Sequence, residues 1–307
     1  MTLKQHVTKN IVHKLLSGND YRIEIVNLID AEYLQYSVRF LHEVAEAKRD
    51  NPNSDDWYKR TFLNHDLPTD EIIINSGLNK KTITNMYNSA ARNIVEGVTD
   101  LHYDSLTQNI ANLIEATPRF DMKLTVSSNR ENTELNAHES LVVLNTLAVK
   151  RAQLRGGLWS TAGKQAEKPL MLTLCELFKI ESKYFRVKTE GGQNTTDYDR
   201  EIDFFFVDNK AIEQKVEVKL MGQGNPESAD AVIARHSKVF AGDSLSDSNI
   251  KQFNTLGIKW IELRSKNRFD QFKNIMKDFG IPYSDYTPTN NDILRSINLV
   301  FDRAMEK

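Results

Sequence analysis

Cysteine is almost missing from the chain: Cys175 is the single one in 307 residues. That excludes a disulfide framework and a cysteine-built zinc site, and it fits a reducing cytoplasm. Set in LMLTLCELF, Cys175 reads as a small buried hydrophobe. Long apolar runs are lacking as well. No stretch approaches the roughly 20 apolar residues of a membrane helix, and the opening MTLKQHVTKN holds no apolar signal core. The expectation is a soluble, cytoplasmic protein with no membrane partner. There is no excess of one charge either. The 40 Lys and Arg against 42 Asp and Glu leave a net charge of −2, so no global field advertises a polyanion partner. Internal repeats and low-complexity tracts are not evident.

What remains is an ordinary globular composition, 40% apolar with a mean hydropathy of −0.50. The length suits one large domain or two, with room for a proper core. Two rhythms divide it. Residues 1–130 read as a mostly helical N-terminal domain, with apolar residues at helical spacing in HVTKNIVHKLLSG, IEIVNLIDAEYLQYSVRFLHEVAEAKR and LTQNIANLIEA. The polar run Arg49–Asp56 is a loop, and TPRFDMKLTVSSN is a short strand or connector. NAHESLVVLNTLAVKRAQL returns to helix, which Gly156-Gly157 is expected to end.

Residues 131–307 read as an α/β domain. The expected order is a helix over Lys164–Ile180, strands at KYFRVKT, Arg200–Val207 and Glu213–Met221, and a helix from Pro226 to His236. A strand KVFAG, a helix capped by Ser246 and stopped by Gly257, a strand IKWIELR and a last helix follow. This is a mixed sheet flanked by helices.

Charges are segregated locally. Ala148–Lys168 carries five Lys or Arg and one Glu, and Arg155 and Lys164 within it suit phosphate contacts, which give affinity without sequence information. Residues 70–95 have the spacing of a helix-turn-helix. Asp70–Ser76 forms a short helix, Gly77 the turn, and Asn79 caps a second helix with Lys80, Lys81, Thr82, Thr84 and Asn85. Such a second helix can lie in the major groove; a plain helical hairpin with a solvated Lys/Thr/Asn face has the same pattern.

The chemistry-bearing set lies in the α/β part. Asp203 interrupts the apolar run IDFFF, and Glu217 and Lys219 interrupt VEVKL. Side chains alternate across a strand, so Ile202, Phe204 and Phe206 share one face and Asp203 the other. On the next strand Val216, Val218 and Leu220 oppose Lys215, Glu217 and Lys219. The three charged residues can therefore gather on one side of the sheet. A loop over Asp208–Ile212 puts Asp203 directly across from Glu217, and a tighter turn makes them diagonal neighbours. Two carboxylates so close repel unless a cation sits between them, and Mg²⁺ suits carboxylate oxygens and retained waters. With a lysine two residues on to stabilise developing charge, the set suits phosphodiester hydrolysis. A surface hairpin with a salt bridge would match the same spacing.

With helix, three strands, helix and strand around it, this constellation resembles the core of the PD-(D/E)xK nuclease superfamily, with Ile202 where that motif has its proline. KVEVKLMGQGNPESADAVIARHSKVFAGDSLSDSNIKQF and SGLNKKTITNMYNSAARNIV together resemble the CfrBI-like type II restriction endonucleases, over about Pro68 to Arg264. The resemblance implies a homodimer making Mg²⁺-dependent double-strand breaks at a short palindrome, of the CCWWGG type by that likeness, with 5′-phosphate and 3′-hydroxyl ends. It implies double-stranded DNA as substrate and a cognate DNA methyltransferase as genetic partner. Asp203 and Glu217 match the metal-binding acids and Lys219 the catalytic lysine. Glu167 is the candidate for an added helical glutamate, with Glu176 or Glu181 as replacements. Gln223, Asn225, Glu227 and Ser228, which open the helix after Lys219, are candidate DNA contacts, as are Arg235 and Lys238 at its end. His236 reads as a surface histidine. The alternatives are a repair or mobile-element nuclease on the same core, and a non-catalytic helix-turn-helix regulator.

Overall fold

The computed structural model of the chain describes residues 3–52, 54–117, 119–128, 131–189, 202–220 and 236–305. They fall into two compact units: Ile29–Gly157, and Met1–Leu28 together with Leu158–Lys307.

The Ile29–Gly157 unit is helical. It takes in α2 (Arg22–Asp50) from Ile29 on, then α3 (Trp57–Phe62), α4 (Thr69–Asn75), α5 (Lys80–Tyr87) and α6 (Arg92–Ala116). A hairpin of β1 (Leu124–Ser128) and β2 (Glu131–Leu135) follows, and then the first half of α7 (Ala137–Leu177). The core is aromatic at its centre. Trp57, Tyr58 and Phe62 crowd onto Phe40 of α2 and Tyr103 of α6, with Tyr58 and Tyr103 stacked at 5.6 Å. Leu135, Val142, Val143 and Leu147 complete it from β2 and α7. The expected partition at 130/131 differs from this contact partition at 157/158, because the hairpin and the start of α7 fill the helical core. The second hairpin strand, ENTEL, has too few apolar residues to show in the sequence.

The expected break of α7 at Gly156-Gly157 does not occur. The helix runs unbroken for 41 residues and passes Pro169 as well. Two helical glycines cost roughly 1 kcal/mol each against alanine, which an element this long absorbs.

In the other unit, α1 (Leu3–Leu16) precedes the start of α2, and the end of α7 leads into a five-stranded sheet. Its strands are β3 (Phe185–Thr189), β4 (Ile202–Val207), β5 (Glu213–Lys219), β6 (Val239–Gly242) and β7 (Lys259–Glu262), hydrogen-bonded in that order. The first three are antiparallel; β5, β6 and β7 are parallel. Helices α8 (Asp247–Thr255), α9 (Arg268–Asp278) and α10 (Asn290–Met305) complete the unit. The Ser246 cap and the Gly257 stop of α8 fall where the sequence put them, Ser246 Oγ accepting from the Asn249 amide at 3.2 Å. The helix expected over Pro226–His236 lies outside the described residues except for its last residue. His236 is an exposed turn residue with φ 53°.

One sheet face is hydrophobic: Phe204, Phe206, Val216 and Val218 are buried, and Phe206 meets Phe272 of α9, which stacks on Phe178. The chain is thus α/β, a helical region followed by a mixed sheet with its own core. The opposite face of that sheet carries the charges.

Candidate active site

Strand β5 positions the site because its two faces obey different rules. Val216 and Val218 must be buried, so Lys215, Glu217 and Lys219 are forced to the other side. The β4–β5 connection spans Asp208–Ile212, with Val207 opposite Glu213 and Phe204 opposite Val216. This is the wider of the two loops considered. It carries the register on by one residue, so the Asp203 position is level with Glu217. On β4's other side Asp203 pairs with Lys188.

Glu217 is 4% exposed, and its carboxylate faces the Lys219 ammonium at 3.2 Å. The parallel register with β6 explains the burial: Glu217 is level with Phe240, whose ring packs on Phe253 of α8 at 4.9 Å. Lys219 is level with Gly242, which leaves its side chain 30% exposed. Further back on the same face, Lys188 reaches Glu213 at 2.5 Å and lies over the Phe205 ring. A buried acid and a half-open lysine therefore stand where β5 and β6 run out, and crevices at the carboxyl ends of parallel strands are where open α/β sheets bind ligands.

Helix α7 passes the same place. A Cβ on Gly163 would lie 3.8 Å from the Leu220 carbonyl, and Glu167, half-buried, is one turn along on that side of the helix. The two replacement acids are engaged in pairs: Glu176 with Arg303 at 2.7 Å and Glu181 with Lys183 at 2.8 Å.

Sequence reasoning missed a second charged group at this sheet end. Asp243 follows Gly242 directly and is fully buried. Its Oδ2 accepts from Arg22 at 2.9 Å, Arg264 lies 3.7 Å from Oδ1, and Asp20 binds Arg22 at 2.7 Å. Burial pushes the Asp243 carboxyl above the usual carboxylate range, against the pull of Arg22 and Arg264. Next to Arg22, the hydroxyl of buried Tyr21 donates to the Leu220 carbonyl, one residue past Lys219. The only signal in the sequence was a charge set directly after the four buried residues VFAG.

The candidate DNA contacts separate. Arg155 and Lys164 are exposed on α7. Gln223, Asn225, Glu227, Ser228 and Arg235 lie outside the described residues. Lys238 does not end a helix: its amide donates to the Lys215 carbonyl at 2.9 Å, which extends the β5–β6 ladder. It is thus level with Lys215, about 13 Å back along the sheet from the level of Lys219. Lys80, Lys81 and Asn85 are exposed on α5, while Thr82 is half-buried and gives its amide to the Asn79 cap at 2.9 Å.

The family model described as CfrBI restriction endonuclease matches residues 5–250. The chain belongs to that family. No curated protein and no solved structure matches it. Family membership makes the chain a restriction endonuclease, a DNA-binding nuclease. The match takes in Asp203, Glu217, Lys219 and the α4–α5 pair, and it reaches further toward the N-terminus than the sequence resemblance did. Strand β7 and helices α9 and α10 follow the matched range. No described helix is long and apolar enough to cross a membrane.

Among the described residues no group of three or more His, Cys, Asp or Glu is placed to hold a metal. The donor chemistry nonetheless fits a hard divalent cation. Glu217 offers carboxylate oxygens from a buried position, and the Asp203 position is level with it on the adjacent strand.

Proposed function

We propose that this restriction endonuclease is a type II enzyme with a PD-(D/E)xK core, making Mg²⁺-dependent double-strand breaks at a short palindromic site. The observation that carries the reading is the placement of Glu217 and Lys219. They are two residues apart on one face of β5, 3.2 Å from each other, with the Asp203 position level on β4.

Asp203 and Glu217 would hold Mg²⁺, which when bound supplies charge neutralisation and an acidified water. Lys219 sets a positive charge where the phosphate gathers negative charge in the transition state, and Glu167 adds a carboxylate from α7. Water oxygen bonds to phosphorus and gives up a proton to solvent, the P–O3′ bond breaks with O3′ taking up a proton, and 5′-phosphate and 3′-hydroxyl ends result. Arg155 and Lys164, both exposed, suit phosphate contacts, and Gln223, Asn225, Glu227, Ser228, Arg235 and Lys238 are the further candidates for contacts to bases or backbone. In this reading the N-terminal helical part reads DNA and the sheet cuts it. A palindromic target implies a two-fold homodimer, and self-protection implies a cognate DNA methyltransferase.

The test is digestion of unmethylated phage DNA with and without Mg²⁺, beside Lys219→Ala and Glu217→Ala. Discrete fragments that need Mg²⁺ are expected, with each variant slower by roughly a hundredfold or more, as for removal of one transition-state donor. A Glu217→Ala protein cutting at the wild-type rate would sink the assignment. A smear without discrete bands would favour a repair or mobile-element nuclease. Intact DNA with a clear gel shift would favour a non-catalytic regulator built on α4 and α5.

A further inference from the structure

We propose that α5 is the base-reading helix of this enzyme, entering the major groove of duplex DNA with Lys81, Thr84 and Asn85. It rests on the nuclease reading only for its substrate. The local geometry is that of a helix-turn-helix. α4 ends at Ser76, Gly77 turns the chain at φ 85°, and Asn79, extended at φ −123° and ψ 153°, caps α5. Gly77 cannot be replaced freely, since a Cβ there would lie 2.4 Å from Asn145 Nδ2.

Helix α5 has little structural reason to exist by itself. Eight residues are too few to be helical alone in water. A helix that serves a core presents an apolar stripe of three or four residues per two turns. Here one residue, Ile83, is buried, at 0% exposure, against Ile73, Val95 and Val98. Lys80, Lys81, Thr84, Asn85, Met86 and Tyr87 all face out. The cap, the glycine turn and the Ile83 anchor hold a short helix whose broad side is left for a partner.

The chemistry of that side points to nucleic acid. KKTITNMY contains no acid, although the whole chain is slightly acidic. Lys80 pairs with Asp70 at 3.2 Å, whereas Lys81 forms no ion pair among the described residues. Lys81, Thr84 and Asn85 stand three and four residues apart, hence on one face. The major groove, about 12 Å wide, admits an α-helix. Asn85 has the paired donor and acceptor that match adenine N6 and N7, and Lys81 donates to guanine O6 and N7. The Thr84 hydroxyl is already given to the Lys80 carbonyl at 3.0 Å, so its part in the groove is the apolar one, a methyl group to meet a thymine methyl.

The experiment uses the full chain carrying Lys219→Ala, with Ca²⁺ in place of Mg²⁺, so that the duplex is bound without being cut. This protein and its Asn85→Ala and Lys81→Ala derivatives each select from a library of randomised duplexes. The parent is expected to yield a consensus. Asn85→Ala should lose preference at one base pair per half-site, weakening cognate binding roughly ten- to a hundredfold, with affinity for random duplex unchanged within twofold. Lys81→Ala should relax the preference at a different position. Unchanged thermal midpoints confirm that these exposed substitutions leave the fold intact. A consensus and affinity unaltered by Asn85→Ala and Lys81→Ala would overturn the proposal, as would a parent with no consensus. Failure of the nuclease reading is separate, since it shows as no Mg²⁺-dependent cutting by the unaltered chain.

Discussion

A single side chain can organise three elements. Glu139, in the first turn of α7, accepts from Lys48 of α2 at 2.6 Å and from the Trp57 indole of α3 at 2.8 Å. It also closes a reciprocal cap with Asn136: the Asn136 amide reaches Oε2 at 2.9 Å, and the Glu139 amide reaches Asn136 Oδ1 at 3.0 Å. Burial by itself would raise its carboxyl, but the Lys48, Trp57 and Asn136 donors outweigh it and hold it below the ordinary value. A depressed carboxyl contributes stability that is present above its unfolded value, 4.5, and lost as pH falls through the folded one. Glu139→Gln should therefore lower stability at pH 7 by about 1–3 kcal/mol in urea unfolding, and the gap should close in acid. A constant gap from pH 7 down to pH 3 would mean the charge is irrelevant there. At this scale the sequence announced Glu217 and Lys219, because a charge inside a β-branched run violates the pattern. Glu139 violates none, and nothing in NAHESL names Lys48 or Trp57 as its partners.

Glycines at the element scale show what a sequence pattern leaves open. Gly77 and Gly156-Gly157 all read as stops. Gly77 is one, with a left-handed φ that only glycine takes freely; neither residue of the pair has a positive φ, and helix continues through both. What separates them is surroundings. A Cβ on Gly77 collides with the Asn145 amide, whereas one on Gly156 or Gly157 meets nothing within 4 Å. Opposite signs follow. Gly156→Ala and Gly157→Ala should each stabilise by about 0.5–1 kcal/mol, and Gly77→Ala should destabilise by more than that. Chemical denaturation of the three variants checks this, and a loss of stability in Gly156→Ala would mean that α7 bends there in solution. The α4–α5 pair and the places of strands β3 to β7 along the chain were legible because caps, turns and period-two alternation are local. The β1–β2 hairpin and the unbroken α7 were not, since both depend on packing partners distant in sequence.

For the whole molecule, the least legible feature is that residues 1–28 share a unit with 158–307. Arg268 Nε donates to the Leu16 carbonyl at 2.7 Å, and His13 bonds Asn290 at 2.9 Å. A third link joins Arg22 to Asp243, 221 residues apart. A carboxylate with no exposure needs its guanidinium, since an unpaired buried charge costs more than the pair returns. The groups facing Asp243 among the described residues are Arg22, Arg264, Asp20 and Glu262, and with Arg22 gone Arg264 alone of these opposes its negative charge. Burial already holds its folded value above 3.8, so the folded state binds the extra proton and stability falls as pH rises through that interval. Arg22→Ala lifts the folded value further. Toward acid, as Asp243 takes up its proton, the substitution should cost progressively less. At pH 7 the cost should reach about 1–3 kcal/mol, read as a lower urea midpoint. Asp243→Asn in the Arg22→Ala background should remove most of that pH dependence, because no carboxyl is left there to ionise. An Arg22→Ala deficit equal at pH 4 and pH 7 would show instead that Arg22 acts by packing alone, and that the end of β6 does not depend on a segment more than 200 residues earlier.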